Sequence, residues 1–333
     1  MRVRRLSSKS ASPCGRVTSL ATQAFMPDFI FRDVRPEDKE QVLAFTANTW
    51  EDGDYIHYVY DEWIADPAGN FLAAIDSHSG AVVGIDKLSF LSPTEGWFEG
   101  IRVHPDYRGR GLAAQMQTYM IEEARRLGAA RIRFVTNVEN HAMQKSAYRD
   151  GFAARFVARY CRWRPPESES KRSAGVAEVP MLRAVDPDEG VVLFDWWRRS
   201  PAYYATGGLM HRDWSFSETG RDEWRERAER GELLVAEEGP LASRALPPAF
   251  VIFSRRSRDS ATLTISAISA LGAQWTPLAS ALVSYARSAG ATEMGGLVPD
   301  SGSAVAAMQA AGFDTGGNGD LFALFDLDLR KSY

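Results

Sequence analysis

The sequence predicts an α+β protein, with helices layered on mixed sheets, that is built from two similar units. The chain has 333 residues, which corresponds to about two domains at roughly 150 residues each. Short runs with strand character alternate with segments of helical period, as expected for layered sheets and helices. Short sequence matches also recur in the same order in both halves, which indicates a duplicated unit.

Composition excludes several classes of protein. Apolar residues make up 45% of the chain and charged residues 25%, unlike a disordered or collagen-like sequence. No apolar run approaches the ~18 residues of a membrane span, so we expect no membrane partner. The net charge of −4 gives no basic field that would attract nucleic acid. Cys14 and Cys161 are too few for a disulfide framework, which favours a reducing, cytoplasmic location.

The elements of the first unit follow from periodicity and turn residues. Pro36 opens a helical stretch, and apolar residues recur at helical spacing from Leu112 to Leu127. Gly128 follows where a helix C-terminus favours glycine. Another helix is predicted over 140–149. The predicted strands are 28–35, 71–75, 81–90, 96–103, 132–136 and 153–163.

The duplication rests on three matches at nearly constant offset. They pair Arg32–Asp38 with Arg183–Glu189, Ala124-Arg125 with Ala286-Arg287, and Gly151-Phe152 with Gly312-Phe313. A segment rich in Pro, Ser and charge separates the two copies, as in a linker. The predicted organisation is a disordered or mis-assigned basic extension over 1–26, a first domain over 27–164, a linker over 165–179 and a second domain over 180–333.

The loop before the helix at 112–127 is a candidate diphosphate site. The first turn of a helix exposes N–H groups without intrahelical partners, and the helix dipole favours negative charge there. Gly109 and Gly111 allow a tight turn that brings these amides close to a ligand. Arg108 and Arg110 add charge-assisted donors for phosphate oxygens. We therefore interpret this loop as a cradle for a diphosphate.

Two other nucleotide sites fit this loop less well. A P-loop is excluded because the chain has no Gly-x-x-x-x-Gly-Lys-Ser/Thr run. Gly109-x-Gly111-x-x-Ala114 formally matches a dinucleotide fingerprint. That fingerprint follows its strand directly, whereas five residues intervene here after Val103. It also needs an acidic residue where this chain has Asn137.

The pattern Arg108-x-x-Gly111-x-Ala113, after a Val-His-Pro-Asp-Tyr turn, resembles the acyl-CoA-binding signature of the GCN5-related N-acetyltransferase (GNAT) family. In that family the signature is Arg or Gln, two residues, Gly, one residue, then Gly or Ala. The later helix, from Asn140 to the Gly-Phe pair at 151–152, has the spacing that is usual in the family.

The resemblance covers roughly residues 27–163 and implies a splayed mixed sheet flanked by helices, with acetyl-CoA as co-substrate. It implies that the backbone of Ile101, Arg102 and Val103 binds the pantetheine arm and that Asn140 contacts the cofactor across the splay. The pyrophosphate would lie on Arg108, Gly109, Arg110, Gly111, Leu112 and Ala113.

Glu99 is the candidate general base. It alternates with Ile101 and Val103, which predicts that these three side chains face one side of the strand. A carboxylate there can accept a proton from an incoming ammonium. The alternative is a structural ion pair with Arg102 or Arg131.

Tyr148 is the candidate acid. The family often places a tyrosine four residues before the Gly-Phe pair, but this chain has Ala147 there and the tyrosine follows it. One residue on a helix is a rotation of about 100°, which turns the phenol away. Losing the acid is tolerable, because a thiol pKa near 8.5 lets the thiolate leave unaided.

The acceptor amine is expected near residues 50–63, where acids interleave with aromatic residues. Asp54 and Tyr55, beside the flexible Gly53, are the candidate substrate-binding residues, although an ordinary amphipathic helix would show a similar pattern. Deprotonation at pH 7 costs about 1.4 kcal/mol for an α-amine of pKa 8 and about 4.6 kcal/mol for lysine. This difference favours an amino acid or another small amine.

A narrower resemblance links Gly53-Asp54-Tyr55 and the segment 99–103 to the vertebrate histidine N-acetyltransferase group, and it implies an α-amino acid acceptor. In the second copy, residues 268–277 lack an Arg-Gly pair and Pro277 removes an amide, which predicts a GNAT-like domain without a cofactor site. No His or Cys pair has the spacing of metal ligands. The sequence thus predicts an acetyl-CoA-dependent N-acetyltransferase. A protein N-terminal or lysine acetyltransferase and a non-catalytic acyl-CoA-binding regulator stay open as alternatives.

Overall fold

A computed structural model describes residues 28–49, 53–166, 182–212, 214–236, 249–256, 259–317 and 320–331. The predicted N-terminal extension and nearly all of the predicted linker lie outside these residues.

The first half alternates strands and helices much as the sequence predicts, with most element ends shifted by no more than one or two residues. A single 3-10 turn, Pro36–Asp38, precedes its first helix. In chain order the elements are β1 (Phe29–Asp33), α1 (Lys39–Thr46), α2 (Ile56–Ala65), β2 (Asn70–Asp76), β3 (Val82–Ser92), β4 (Glu95–Val103), α3 (Leu112–Arg126), β5 (Arg131–Asn137), α4 (His141–Arg149) and β6 (Ala153–Trp163).

The second half repeats this order and adds a short helix and a two-stranded hairpin after its first helix. Its elements are β7 (Arg183–Ala184), α5 (Pro187–Trp197), α6 (Pro201–Ala205), β8 (Leu209–Arg212), β9 (Ser215–Glu218), α7 (Arg221–Glu229), β10 (Leu233–Val235), β11 (Phe250–Arg256), β12 (Asp259–Ser269), α8 (Trp275–Ser288), β13 (Glu293–Pro299), α9 (Gly302–Ala310) and β14 (Leu321–Asp328).

One twelve-stranded mixed sheet runs through both halves in the order β1-β2-β3-β4-β5-β14-β6-β13-β12-β11-β10-β7. The sheet is symmetric: read from its opposite end, each strand of one half is replaced by the equivalent strand of the other half, β1 by β7, β2 by β10 and so on. The two last strands cross over: β14 inserts between β5 and β6, and β6 pairs with β13. The predicted α+β class, a mixed sheet flanked by helices, is confirmed.

The repeated sequence matches have matching structural roles. The Arg32 guanidinium donates to both carboxylate oxygens of Asp38, at 2.7 and 2.8 Å. Arg183 binds Glu189 in the same way, at 2.7 and 3.1 Å. Each pair ties the first strand of its half to the start of the following helix.

The helices of the first half pack on opposite faces of the sheet. Met116 and Met120 of α3 pack against Leu88 and Phe98 on one face, which we call the α3 face. Ile56, Tyr60 and Trp63 of α2 pack on the other face, which we call the α2 face, in a cluster with Phe71 and Ile85.

The β8–β9 hairpin also packs against strands of both halves. Its Leu209 and Phe216 share a buried cluster with Trp97 of β4 and Leu324 of β14. The hairpin of the second half therefore contributes to the core beside the first half's strands.

Candidate active site

Strands β4 and β5 pair over only three residues and then separate. The parallel register joins Glu95–Trp97 to Arg131–Arg133, while β4 continues to Val103 and β5 to Asn137. On its other edge β4 stays paired with β3 as far as Val103. The β5-facing edge of residues 98–103 therefore has no strand partner among the described residues, while the carbonyls of Ile101 and Val103 accept from the side chains of Arg102 and Arg108. This opening is the splay that the resemblance implies.

A β-bulge at Gly100 changes which side chains of β4 lie on the α2 face of the sheet and which lie on the α3 face. Between Arg102 and Glu99, β4 has one residue more than the facing stretch of β3, and Gly100 has a φ of +72°. Ile101 and Val103 pack into the core on the α3 face. Glu99 lies opposite Lys87 on the α2 face. The prediction that Glu99 shares a side with Ile101 and Val103 is wrong, because the extra residue breaks the alternation.

Gly109 and Gly111 have the left-handed backbone that the predicted cradle requires. Their φ angles are +76° and +77°, and nothing lies within 4 Å of the place that a Cβ would take on either residue. Glycine is thus favoured here by backbone conformation and not by packing. Gly111 is the N-cap of α3 and has no side chain to satisfy the first-turn amides. Buried Leu112 anchors the helix start, and Ala113 follows it.

The two arginines of the loop contact its backbone and leave much of their guanidinium groups at the surface. Arg108 donates from Nε to the carbonyl of Val103 at 3.2 Å. Arg110 donates to the carbonyl of Asp106 at 2.9 Å, and its guanidinium lies 4.8 Å from the ring centroid of Tyr107. Both side chains therefore lie beside the helix N-terminus, where they can supply donors to an anion.

Asn140 caps the N-terminus of α4 just after β5. Its Oδ1 accepts from the Met143 amide at 3.2 Å, and its Nδ2 donates to Thr136 Oγ1 at 3.2 Å. The residue lies on the β5 side of the opening, where the resemblance implies a cofactor contact. That contact remains a prediction.

Glu99 is partly buried and oriented by a neighbouring hydroxyl. Ser89 Oγ donates to Glu99 Oε1 at 2.6 Å. Burial raises the pKa of Glu99, the hydrogen bond from Ser89 and the charge of Lys87 oppose that rise, and the nearby charges of Asp66 and Glu62 add to it.

The two arginines considered as partners of Glu99 bind other carboxylates. Arg102 Nε lies 2.7 Å from Asp54 Oδ2, and Arg131 lies 2.6 Å from Asp326.

Lys87 lies directly across the strand pair from Glu99, and its side chain is only 1% exposed. Its ammonium binds Asp66 Oδ2 at 2.5 Å. The sequence analysis did not identify Ser89, Lys87 or Asp66 as part of the site. The glycine at position 100, inside an otherwise regular strand, was the one available signal of an irregularity here.

The two predicted substrate residues lie next to each other with different exposure. Asp54 is buried, accepts from the Ile56 amide at 3.2 Å, and is paired with Arg102. Tyr55 is 38% exposed, with its ring 5.4 Å from the Arg102 guanidinium. Asp54 thus fixes Arg102, while the ring of Tyr55 is accessible.

Tyr148 points outward and Ala147 points inward, as the helical rotation predicts. Ala147 is fully buried beside α3, and Tyr148 is 56% exposed. The edge of the Tyr148 ring packs on Phe325 of β14, at a centroid distance of 5.4 Å. The structure therefore puts a methyl group where the family often has its phenol.

The second half contains a similar separation between β12 and β13. Their parallel register covers Thr262–Thr264 and Glu293–Gly295. Counting from this register makes Thr264 equivalent to Trp97 and Ser266 equivalent to Glu99. A hydrogen bond of 2.8 Å joins Ser254 to Ser266, in the place of the Ser89–Glu99 bond.

Other parts of the chain fill this second opening. The His211 ring of the hairpin lies 3.0 Å from the carbonyl oxygen of Ile265. The backbone at Gly296 packs so closely on Ile265 that a Cβ there would clash. Before α8, the Leu271 amide donates to Gln274 Oε1 at 3.0 Å. The second half thus has neither an open splay nor an arginine–glycine loop in the described residues.

The candidate site thus combines a splayed sheet with a glycine–arginine loop at a helix N-terminus. Residues 32–152 match the model of the Acetyltransferase (GNAT) family. This segment, which contains the splay and the cradle, belongs to that family.

Solved structures share the fold over most of the chain. A GCN5-related N-acetyltransferase from Sphaerobacter thermophilus has a TM-score of 0.62 at 14% identity, covering 92% of this chain and 98% of that one. The glucosamine N-acetyltransferase region of a fungal multi-domain GH3 β-N-acetylglucosaminidase has a TM-score of 0.55 at 13% identity, covering 91% of this chain and 38% of that one. At these identities the likeness shows the fold alone. No curated protein gave a significant match.

The described residues contain no group of three or more His, Cys, Asp or Glu side chains placed to hold a metal ion. None of their helices is both long and apolar enough to span a membrane.

Proposed function

We propose that this protein transfers an acetyl group from acetyl-CoA to the primary amine of a small molecule, in particular an α-amino acid. The observation that carries the proposal is the separation of β4 from β5 directly beside the Gly109–Gly111 cradle, within the GNAT segment. An open strand edge and a helix N-terminus at one end of it suit a long ligand that has an amide-containing arm and a diphosphate.

The residues present fit an acyl-CoA. The amides of the first turn of α3, which have no intrahelical partners, would hold the pyrophosphate together with the loop at Gly109 and Gly111 and the guanidinium groups of Arg108 and Arg110. The β5-facing edge of Ile101–Val103, which no strand pairs with in the described residues, would bind the pantetheine arm as an added strand does. Asn140 would contact the arm from the β5 side. When bound, acetyl-CoA supplies an acyl thioester beside Glu99.

Glu99 is assigned as the general base. A carboxylate whose pKa is raised by burial is better matched to accepting a proton near neutral pH than a fully solvated one. Ser89 holds one of its oxygens and leaves the other for the ammonium or a bridging water. After the proton leaves, a C–N bond forms to the acyl carbon, the C–S bond breaks, and the thiolate takes a proton from solvent or from Tyr148.

A backbone N–H on the open edge of β4 would hold the oxyanion of the tetrahedral intermediate. Such a donor typically contributes about 3–4 kcal/mol to the transition state. The bulge at Gly100 sets the direction of the neighbouring N–H groups, and Trp63 packs against it from α2. The bulge therefore fixes the edge to which the acyl group binds.

We propose that the acceptor amine binds on the α2 face of the sheet, next to the exposed ring of Tyr55. Around Glu99 the carboxylates of Asp66 and Glu62 outnumber the ammonium of Lys87, which favours a cationic amine here. Asp54 acts by holding Arg102 beside the Tyr55 ring.

A second function, a non-catalytic acyl-CoA-binding regulator, is favoured by one observation. The helix position that often carries the family's phenol is the buried Ala147, and Tyr148 faces outward. Such a regulator would bind acetyl-CoA through the same cradle and release no thiol.

Thiol release separates these functions. The full chain is incubated with acetyl-CoA and a panel of free amino acids, small amines and N-terminal or lysine-containing peptides. We expect release of coenzyme A with at least one amino acid and none with the peptides. Binding of acetyl-CoA by calorimetry without turnover of any acceptor would support the regulator, and no binding would refute both.

A further inference from the structure

The sheet face that carries Glu99 continues into an aromatic surface supplied mostly by the second half of the chain. The last β4–β5 pair is Trp97 with Arg133, so counting two residues along each strand places Val135 of β5 opposite Glu99. β14 follows β5 in the sheet, and its Phe322 pairs with Asn137, two residues beyond Val135 toward the open end of the splay. Phe322 is thus one strand spacing, about 5 Å, beyond the β5 edge of the opening.

Trp214, at the tip of the β8–β9 hairpin, extends this surface. The Trp214 ring meets the Phe322 ring edge to face at 5.1 Å and stacks on the Tyr160 ring at 5.0 Å. The body of the hairpin is fixed by Leu209 and Phe216 in the buried cluster that includes Trp97. We call Phe322 and Trp214 the aromatic wall.

The aromatic wall is ordered yet incompletely covered. Trp214 is 39% exposed although aromatic rings hold it on two sides, and Phe322 is only partly buried. Aromatic side chains that are fixed in place and left accessible are typical of ligand sites, because little conformational entropy remains to be lost on binding.

Opposite kinds of chemistry therefore lie on the two sides of the opening. On the β4 side are charged groups with a net negative charge, namely Glu99, Glu62 and the paired Lys87 and Asp66. On the β5 side are Val135, Phe322 and Trp214. A ligand with a cationic amine at one end and an apolar ring at the other matches both sides.

We propose that the acceptor is an amine with an aromatic side group, and that this group packs on Phe322 and Trp214. The second half, whose own opening is filled, thereby determines the acceptor specificity of the first. This inference rests on the proposed acetyl transfer and goes beyond it in naming the acceptor class and the residues that select it.

The test compares two acceptors that present the same α-amino carboxylate group, phenylalanine and alanine. Values of kcat/KM are measured by thiol release with the full chain at saturating acetyl-CoA. We expect phenylalanine to be preferred at least ~10-fold, because an apolar side group gains affinity by leaving water. Phe322→Ala and Trp214→Ala should each lower kcat/KM for phenylalanine by about 10-fold and leave the value for alanine unchanged.

Three controls test whether the effect is specific to the aromatic wall. Tyr204→Ala removes a ring that is 71% exposed on α6 and should change neither value. Calorimetric binding of acetyl-CoA should be the same in all variants, which shows that the first half is folded. Phe322→Leu and Trp214→Phe keep apolar volume and should recover most of the preference.

Equal use of both amino acids, or equal losses for both in the Ala variants, would overturn the assignment of the aromatic wall and leave the proposed acetyl transfer intact. No turnover of any amine would refute the acetyl transfer and this inference together.

Discussion

The two openings in the sheet have the same topology and different contents. Between β4 and β5, a glycine–arginine loop faces an unpaired strand edge, with Glu99 at its side. Between β12 and β13, Ser266 replaces the carboxylate and the His211 ring lies against the buried carbonyl of Ile265. The sheet thus accommodates either arrangement, and the difference lies in a few side chains and one inserted hairpin. An open splay requires that the chain leave its own backbone groups unsatisfied there.

Among the changes that test the difference between the two openings, the largest effect is expected on turnover, from a substitution of Glu99. Glu99→Gln keeps the shape of the side chain and removes the base, so kcat should fall 10²- to 10⁴-fold. Because Glu99 accepts the proton only when ionised, wild-type activity should rise with pH through its raised pKa, and the variant should lack that ionisation.

The equivalent change in the second half, Ser266→Ala, should leave kcat unchanged. The measurement is the pH dependence of thiol release. A variant at position 99 that keeps wild-type turnover would remove the functional difference between the two openings.

A substitution of Asp326 tests how strongly the two halves depend on each other for stability. It lies on β14 and binds Arg131, Arg133 and Arg155, and the Arg133 side chain is only 3% exposed. Asp326→Ala removes a carboxylate that three arginines share and leaves the buried Arg133 with Glu95 and Glu218, so the free energy of unfolding should fall by about 3 kcal/mol in denaturant titrations.

The control is Asp300, which binds Arg159 and is 34% exposed. Removing this more exposed partner should cost less than about 1 kcal/mol. Similar losses of unfolding free energy in the two variants would mean that the ion pairs of β14 add no more stability than a surface ion pair.

Gly111→Asp tests the cradle. The φ of +77° is unfavourable for a residue with a Cβ, and the added carboxylate repels a pyrophosphate. The calorimetric Kd for acetyl-CoA should rise at least ~100-fold. Gly272, before α8, also has a positive φ and open space where a Cβ would lie, so Gly272→Asp is the matched control and should leave the Kd unchanged. Equal affinity in both variants would refute the cradle.

The smallest expected effect is at Tyr148. Because the thiolate leaves readily, Tyr148→Phe should lower kcat less than ~3-fold. A loss of 100-fold or more would instead make this phenol the essential acid despite its outward position. Single-turnover measurements of thiol release distinguish these outcomes.

Local signals were sufficient for the elements and for the cradle. The helix at 112–126 was predictable from its apolar period and Gly128, and the loop before it from closely spaced glycines and arginines. These features depend on neighbours within a few residues. The outward turn of Tyr148 was predictable for the same reason, since it follows from helix geometry alone.

Features that depend on distant pairing were not predictable. The bulge at Gly100 is defined by its register against β3, so a strict alternation put Glu99 on the wrong side. The Lys87–Asp66 pair joins residues that are 21 positions apart. The crossover pairs β14 with β5 and β6, which lie in the other half of the sequence, and a single sequence gives no sign of it.

The crossover of the last strands has a consequence for biosynthesis. The ribosome makes residues 321–328 after all the other described strands, yet they occupy the centre of the sheet between β5 and β6. Until that segment emerges, the nascent chain presents two bare strand edges, which are a hazard for misassembly. Maturation of the first half must therefore wait until the second half has been synthesised, whichever half begins to collapse first.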